Sequence, residues 1–407
     1  MNYMDWKQML RQEILDKLDY AREMSDEEVY EQIDEALFEK EEVRLLPTAM
    51  HRQLRSDLFD SLRRLDVLQN LIDDSEITEI MINGPDCIFI EREGRLSRLD
   101  TGFESAEKLK DVIQQIVAGC NRVVNEASPI VDARLRNGAR VNIVLNPIAL
   151  NGPIVTIRRF PDQPITMEGL IHKNSISPQV AEFLKRLVRA GYNIFISGGT
   201  GSGKTTFLNV LSGFIPKDER IITIEDSAEL QLQGIQNLVC LETRNSNVEG
   251  CQEITIRDLI KASLRMRPDR IIVGEVRGPE AADMMQCLNT GHEGSMSTGH
   301  ANSAKDMLLR LENMILMAMD IPLEAIRRQI ASGIDIIIHL GRLRDKSRRV
   351  LEIVEVTGYE NGRYCLQTLY EFEERGEDVD GRVQGELEEK SSLVQTGKLQ
   401  AAGLGPE

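Results

Sequence analysis

Read for apolar spacing alone, the 407-residue chain falls into stretches of different rhythm. The first 45 positions set Leu10, Ile14 and Leu18, then Val29, Ile33 and Leu37, four apart in an acidic background. That spacing predicts one or two helices, each with a narrow apolar stripe and solvated on its other side. After Pro47, Leu54, Leu58, Leu62, Leu65 and Leu68 repeat at three and four and predict one further helix. The pattern then turns to short apolar runs: Glu79–Asn83 and Cys87–Glu91 flank Gly84-Pro85-Asp86, and Val131–Arg136 and Ala139–Leu145 flank Asn137-Gly138. Both read as hairpins, the second with a dipeptide suited to a type I′ turn. Leu109, Val112, Ile113, Ile116 and Val117 predict a helix between them, and Ile154–Phe160 a closing strand. Pro161, Pro164 and Gly169 then mark a linker.

Beyond the linker, strand-like runs at Asn193–Ser197, Arg220–Ile224, Leu238–Thr243, Arg270–Gly274 and Ser295–Thr298 alternate with helical patterns beginning near Thr205, Ile256 and Glu280. Such alternation predicts a mostly parallel sheet covered on both faces. Two longer helical patterns follow Ala304, then a strand at Ile334–His339 and a hairpin around Asn361-Gly362. From about Glu373 the chain is acidic and poor in aromatic residues, which predicts disorder. The fold class expected is α/β. It comprises an acidic helical extension (1–45), a mixed α/β domain (46–160), a linker (161–178), a second domain with the parallel sheet (179–372) and a disordered tail (373–407).

A net charge of −17 disfavours a dominant nucleic-acid role, because phosphate backbones need a basic footprint. No apolar run approaches the roughly 20 residues that span a bilayer. Residues 1–19 carry charges throughout, unlike a signal peptide, so a cytoplasmic protein is expected. The six cysteines (Cys87, Cys120, Cys240, Cys251, Cys287 and Cys365) show no zinc spacing and read as reduced thiols.

The chemistry centres on Gly198-Gly199-Thr200-Gly201-Ser202-Gly203-Lys204-Thr205-Thr206, between a strand and a helix. The run from Gly198 to Thr205 fits G-x-x-x-x-G-K-[ST]. Glycines let backbone N–H groups converge on phosphate oxygens, and the following helix turns the positive end of its dipole to the same oxygens. Lys204 suits the β- and γ-phosphates of ATP and the Thr205 hydroxyl suits Mg²⁺. The bland alternative, a flexible linker, has no reason to lie between a buried strand and a helix.

Chemistry in a parallel sheet gathers at the carboxyl ends of its strands. Ile221–Ile224 runs into Glu225-Asp226 and Glu229, Ile271–Gly274 into Glu275, and Ser295–Gly299 into His300. Glu275 is the first candidate to bind the magnesium shell or polarise the attacking water, and Glu229 the second; Glu225 and Asp226 equally suit capping. His292 and His300 each suit a hydrogen bond to the γ-phosphate, while either one taken singly reads as structural. His339, inside an apolar strand, reads as packing. Arginines 265 and 267, and 342, 344, 348 and 349, read as nucleotide, subunit or surface contacts.

These residues resemble the CpaF/TadA family of bacterial type II/type IV secretion ATPases, which power Tad (Flp) pilus assembly. The resemblance runs from about Leu46 to Phe372. It rests on Gly198–Thr206 as the Walker A loop, Ile224–Leu230 as the aspartate box, Arg244–Gly250 with Thr255–Leu259, Arg265–Gly278 as the Walker B segment, and Asn289–Asn302 as the histidine box. It implies a RecA-like second domain, a homo-hexameric ring holding ATP and Mg²⁺ between domains, and inner-membrane platform proteins as partners at the cytoplasmic face. By position it makes Glu275 the Walker B glutamate, Glu229 the aspartate-box glutamate and His300 the histidine-box residue. Arg158 and Arg159 become interdomain arginines that reach the nucleotide, with Arg140, Arg265 and Arg267 as weaker candidates. Gly299 stands where the family's pattern calls for a larger residue, and the tetracysteine zinc module of some relatives is absent. The alternatives are a nucleic-acid-translocating motor on the same fold and a nucleotide-gated scaffold without turnover. A GTPase is disfavoured by the lack of an N-K-x-D tetrapeptide.

Overall fold

The computed structural model describes residues 3–17, 24–92, 94–120, 122–135, 137–159, 164–244 and 252–405. Leu18, Arg136, Phe160, Pro161, Cys251 and the segment 245–250 of the resemblance lie outside them. Two compact units form, Met1–Asp162 and Gln163–Glu407.

The first unit opens with α1 (Tyr3–Lys17), α2 (Asp26–Glu39), α3 (Glu41–Arg44), α4 (Thr48–Arg63) and α5 (Val67–Asp73). Ser25 caps α2 through a capping box with Glu28, which satisfies two otherwise orphaned N–H groups. The narrow stripes of α1 and α2 do not face water: Leu10, Ile14, Ile33 and Leu37 pack with Leu54, Leu58 and Phe59 of α4 in one core. The extension expected over 1–45 is therefore part of a helical bundle that includes α4. The single helix expected through Leu68 is two, broken at Asp66, whose φ of 53° is left-handed.

The rest of the unit is β1 (Ile77–Asn83), β2 (Ile88–Arg92), β3 (Arg95–Arg98), α6 (Ala106–Gly119), β4 (Ile130–Arg134), β5 (Arg140–Val144) and β6 (Ile154–Arg158). The strands form an antiparallel sheet in the order β3-β2-β1-β6-β5-β4. Ile80, Ile82, Val155, Ile157, Val141 and Ile143 pack on α5 and α6. The alternate positions form the sheet's outer face, as a period of two requires.

The second unit runs α7 (Met167–His172), α8 (Pro178–Arg189), β7 (Ile194–Gly198), α9 (Lys204–Ser212), β8 (Arg220–Glu225), β9 (Asn237–Glu242), α10 (Ile256–Ser263), β10 (Arg270–Val273), α11 (Glu280–Leu288) and β11 (Met296–Gly299). It continues with α12 (Ala304–Ala318), α13 (Leu323–Gly333), β12 (Ile336–Arg342), β13 (Arg348–Glu360), β14 (Arg363–Glu377), β15 (Val383–Glu389) and α14 (Gly397–Ala401). The sheet order is β15-β14-β13-β12-β7-β11-β10-β8-β9. The six strands from β12 to β9 run parallel and the three beyond β12 antiparallel. Ile194 and Ile196 pack on α8 and α9, and Phe195 between them packs toward α11 and α12. Burial on both faces is why the parallel strands read as unbroken apolar runs. No helix among the described residues is long and apolar enough to cross a membrane.

Two expectations are corrected here. Residues assigned to the linker form α7, whose Met167 and Leu170 join the core. The segment from Glu373 is ordered: β14 extends to Glu377, β15 pairs with it, and α14 inserts Leu399. Its glutamates are held by cations, Arg344 pairing with Glu374 (2.7 Å) and Arg375 with Glu386 and Glu388 (3.1 and 3.2 Å).

Candidate nucleotide site

The glycine-rich loop joins β7, central in the parallel part of the sheet, to α9 at the strands' carboxyl ends. A Cβ on Gly198 would lie 2.5 Å from the Leu340 carbonyl oxygen and 2.6 Å from Ser202 Oγ, so glycine is what lets β12 approach the loop. Gly203 caps α9 at φ 95°, a left-handed conformation that suits glycine. Ser202 Oγ donates to Gly199 O at 2.9 Å and Arg348 Nε to Gly201 O at 2.9 Å, closing the loop on itself and on β13. Lys204, Thr205 and Thr206 form the first turn of α9, where N–H groups lack intrahelical acceptors.

Lys204 Nζ donates to Gly199 O at 3.0 Å and lies 3.3 Å from His300 Nδ1. An ammonium only donates, so Nδ1 accepts and the imidazole proton resides on Nε2. Nε2 in turn lies 2.9 Å from Glu275 Oε1. The approach is off the line of an N–H···O bond, and Oε1 is buried without a hydrogen-bond donor. Glu275 Oε2 accepts from Arg277 at 2.7 Å.

Burial pushes the Glu275 carboxyl up, but Arg277, through its hydrogen bond and charge, together with His300 and Lys204, holds it below the usual range. Burial and the Lys204 cation lower His300 against the opposing pull of Glu275. Both shifts favour a carboxylate facing a neutral imidazole.

Glu225 is buried at the end of β8, and its oxygens accept the backbone N–H groups of Glu229 (2.9 Å) and Leu230 (3.1 Å). Of the readings open for it, capping is the one seen; burial raises its carboxyl to about 7. This cap fixes the turn carrying Glu229, whose charge, with those of Glu275 and Asp226, acts on Arg277. Arg277 thus links two carboxylates that lie far apart in sequence.

The structure therefore brings Lys204, His300, Glu275 and Glu229 to one end of one sheet. His292 lies at the opposite end of β11, its Nδ1 3.3 Å from Cys287 O in a turn. A Cβ on Gly299 would fall 2.8 Å from Met307 Cε and 3.0 Å from Phe195 Cε1, so side chains of α12 and β7 fill the room a larger residue would need. His339 is buried and hydrogen-bonded to Ser197, 2.8 Å away, one residue before the loop.

In the first unit, Arg158 and Arg140 are direct cross-strand partners, with Arg134 beyond Arg140 and Glu79 beyond Arg158. Their strand positions place all four on the outer face. Arg159 turns elsewhere: its guanidinium donates to Asp74 O and its backbone N–H to Thr78 O. The sequence reading did not single out Arg134 or Arg277; an arginine two residues past a strand-end glutamate was the available signal for Arg277.

The loop offers converging N–H groups and a lysine, and Glu275 Oε1 offers an acceptor with no donor of its own. That donor set fits a nucleotide phosphate with a hydrated divalent cation; the cation would supply charge neutralisation.

A RecA-like α/β fold with a P-loop at the carboxyl ends of its strands is what these features define. The chain belongs to the type II/IV secretion system protein family, whose model matches residues 62–388. It is 32% identical over 327 residues to the conjugal transfer protein TrbB of Rhizobium radiobacter, covering 80% of this chain and 97% of that protein. It is also 32% identical to the type IV secretion system protein PtlH of Bordetella pertussis, over 71% and 93% of the two chains. The crystal structure of the pilus retraction motor PilT with bound ADP has the same fold, at TM-score 0.51 and 20% identity over 84% of this chain and 88% of that one.

Proposed function

We propose that the chain is a Mg²⁺-dependent ATPase that powers a type IV secretion or pilus machine, with Tad/Flp pilus assembly as the particular machine. The observation that carries the ATPase reading is the line Lys204–His300–Glu275 at the mouth of the loop. The N–H groups of Gly199 to Thr206 and the Lys204 ammonium hold the phosphates, and Thr205 and Glu275 hold the hydrated Mg²⁺. Glu275, with Glu229, orients the attacking water, and His300 meets the γ-phosphate. Placement and electrostatics of this kind are what phosphoryl transfer asks of a protein.

The subunits assemble as a homo-hexamer at the cytoplasmic face of the membrane, docked on inner-membrane platform proteins and with no nucleic-acid substrate. The exposed outer-face position of Arg158 at the end of β6 supports a phosphate-reaching role for the first unit, because a guanidinium is suited to a phosphate. The names of the relatives, a conjugal transfer protein and a type IV secretion system protein, support the machine class.

Turnover per subunit, measured across a wide range of protein concentration beside the particle mass, tests this reading. It should rise and saturate as six-subunit particles form. Constant turnover by a monomer would overturn the ring.

A further inference from the structure

The wall of the phosphate cleft opposite the loop carries an arginine that the proposed chemistry has not used. A cleft of about 560 Å³ is lined by Gly199, Thr200 and His300 on one side and by Asp306, Leu309, Arg310 and Asn313 on the other. The last four are spaced i, i+3, i+4 and i+7, one face of α12, while Met307, Leu308, Leu311, Met314 and Ile315 bury the opposite face. The packing of that buried face fixes which side of the helix Arg310 occupies.

Two observations say what Arg310 faces. Its charge is among those that lower His300, so it lies in the field of the imidazole that touches Lys204. It also makes no ion pair among the described residues, although Asp306 sits one turn earlier at a spacing that permits one. Nearby arginines behave differently: Arg327 is paired with Glu312 at 3.0 Å and Arg277 with Glu275 at 2.7 Å. In a chain of net charge −17, a cation that faces a phosphate cleft without a carboxylate partner is suited to an anion.

We propose that Arg310 contacts the terminal phosphoryl group of ATP from the α12 side of the cleft, and so makes the site discriminate a triphosphate from a diphosphate. The inference rests on the ATPase reading above. Lys204 marks where the β- and γ-phosphates meet the loop, and His300, which it touches, lines the same cleft as Arg310. ADP lacks the group that Arg310 grips.

Equilibrium binding of ADP and of the non-hydrolysable analogue adenylyl imidodiphosphate, each with Mg²⁺, tests it in the full chain. R310A should bind the analogue about tenfold to a hundredfold more weakly than wild type, the worth of one charge-assisted contact, with ADP affinity unchanged. R310K should recover part of the loss, since it restores the charge without the planar fork. Equal weakening for both nucleotides, or lower turnover with an unchanged analogue-to-ADP ratio, would overturn the proposal. K204A should lose both nucleotides. If wild type bound neither, the ATPase reading itself would fall, and the ratio measured on R310A separates the two failures. Arg310 is exposed, so thermal melting like that of wild type is expected and confirms that the variant is folded.

Discussion

Nζ of Lys204 stands 3.3 Å from Nδ1 of His300, 96 residues away in the chain. The contact exists only while the imidazole is neutral, because a protonated ring has no acceptor to offer an ammonium. Burial and Lys204 itself lower the pKa of His300 from 6.5, so the neutral form persists through the physiological range. Protonation below that range would break the contact and oppose the lysine's hold on phosphate. The acid limb of the ATPase pH profile should therefore lie below the ordinary histidine range. It should change shape in H300Q while the alkaline side stays as in wild type.

Glu225 gives a second pH prediction, on stability. Its folded-state pKa of about 7 stands above the unfolded value of 4.5, so the folded protein holds this proton more tightly. The contribution is full below 4.5 and is lost as pH rises through about 7. E225Q keeps an acceptor for the Glu229 and Leu230 N–H groups without the titration. Its melting temperature should show a smaller decline over that window than wild type does; parallel curves would contradict the assignment.

Lys7 and Asp66 form an ion pair at 2.9 Å with side chains 6% and 1% exposed, tying α1 to the start of α5. Removing one partner strands a buried charge, so K7M should cost about 3 to 5 kcal/mol in urea unfolding. K7M/D66N should cost less than the sum of the two single changes.

The P-loop, the parallel strands and the strand-end polar residues were legible because their signals are local. Buried parallel strands read as apolar runs, and Glu275 and His300 each follow one directly. What depended on pairing across the fold was not legible. The stripes of α1 and α2 look solvated until α4 covers them, and the break at Asp66 leaves the spacing of Leu62, Leu65 and Leu68 undisturbed. The acidic composition after Glu373 suggested disorder, yet Arg344 in the turn before β13, Arg375 on β14 and Lys390 just after β15 neutralise the glutamates that β14 and β15 present. Arg310 sits in an ordinary amphipathic helix pattern, and only the packing of α12 aims it at the cleft.

The arginine row of the first unit gives a prediction on catalysis. R158A should lower kcat/KM for ATP by about tenfold or more while leaving thermal melting of the protein within about a degree, since Arg158 is an exposed outer-face residue. R159A should act differently and lower the melting temperature, because its guanidinium ties β6 to the Asp74 carbonyl.

The central claim is that Glu275 and Lys204 divide hydrolysis and grip between them. It is tested most directly by measuring steady-state ATP turnover and Mg²⁺-nucleotide binding on wild type, E275Q and K204A. The account predicts that E275Q still binds nucleotide with turnover reduced at least about a hundredfold, and that K204A loses binding. Turnover in E275Q equal to that of wild type would contradict it.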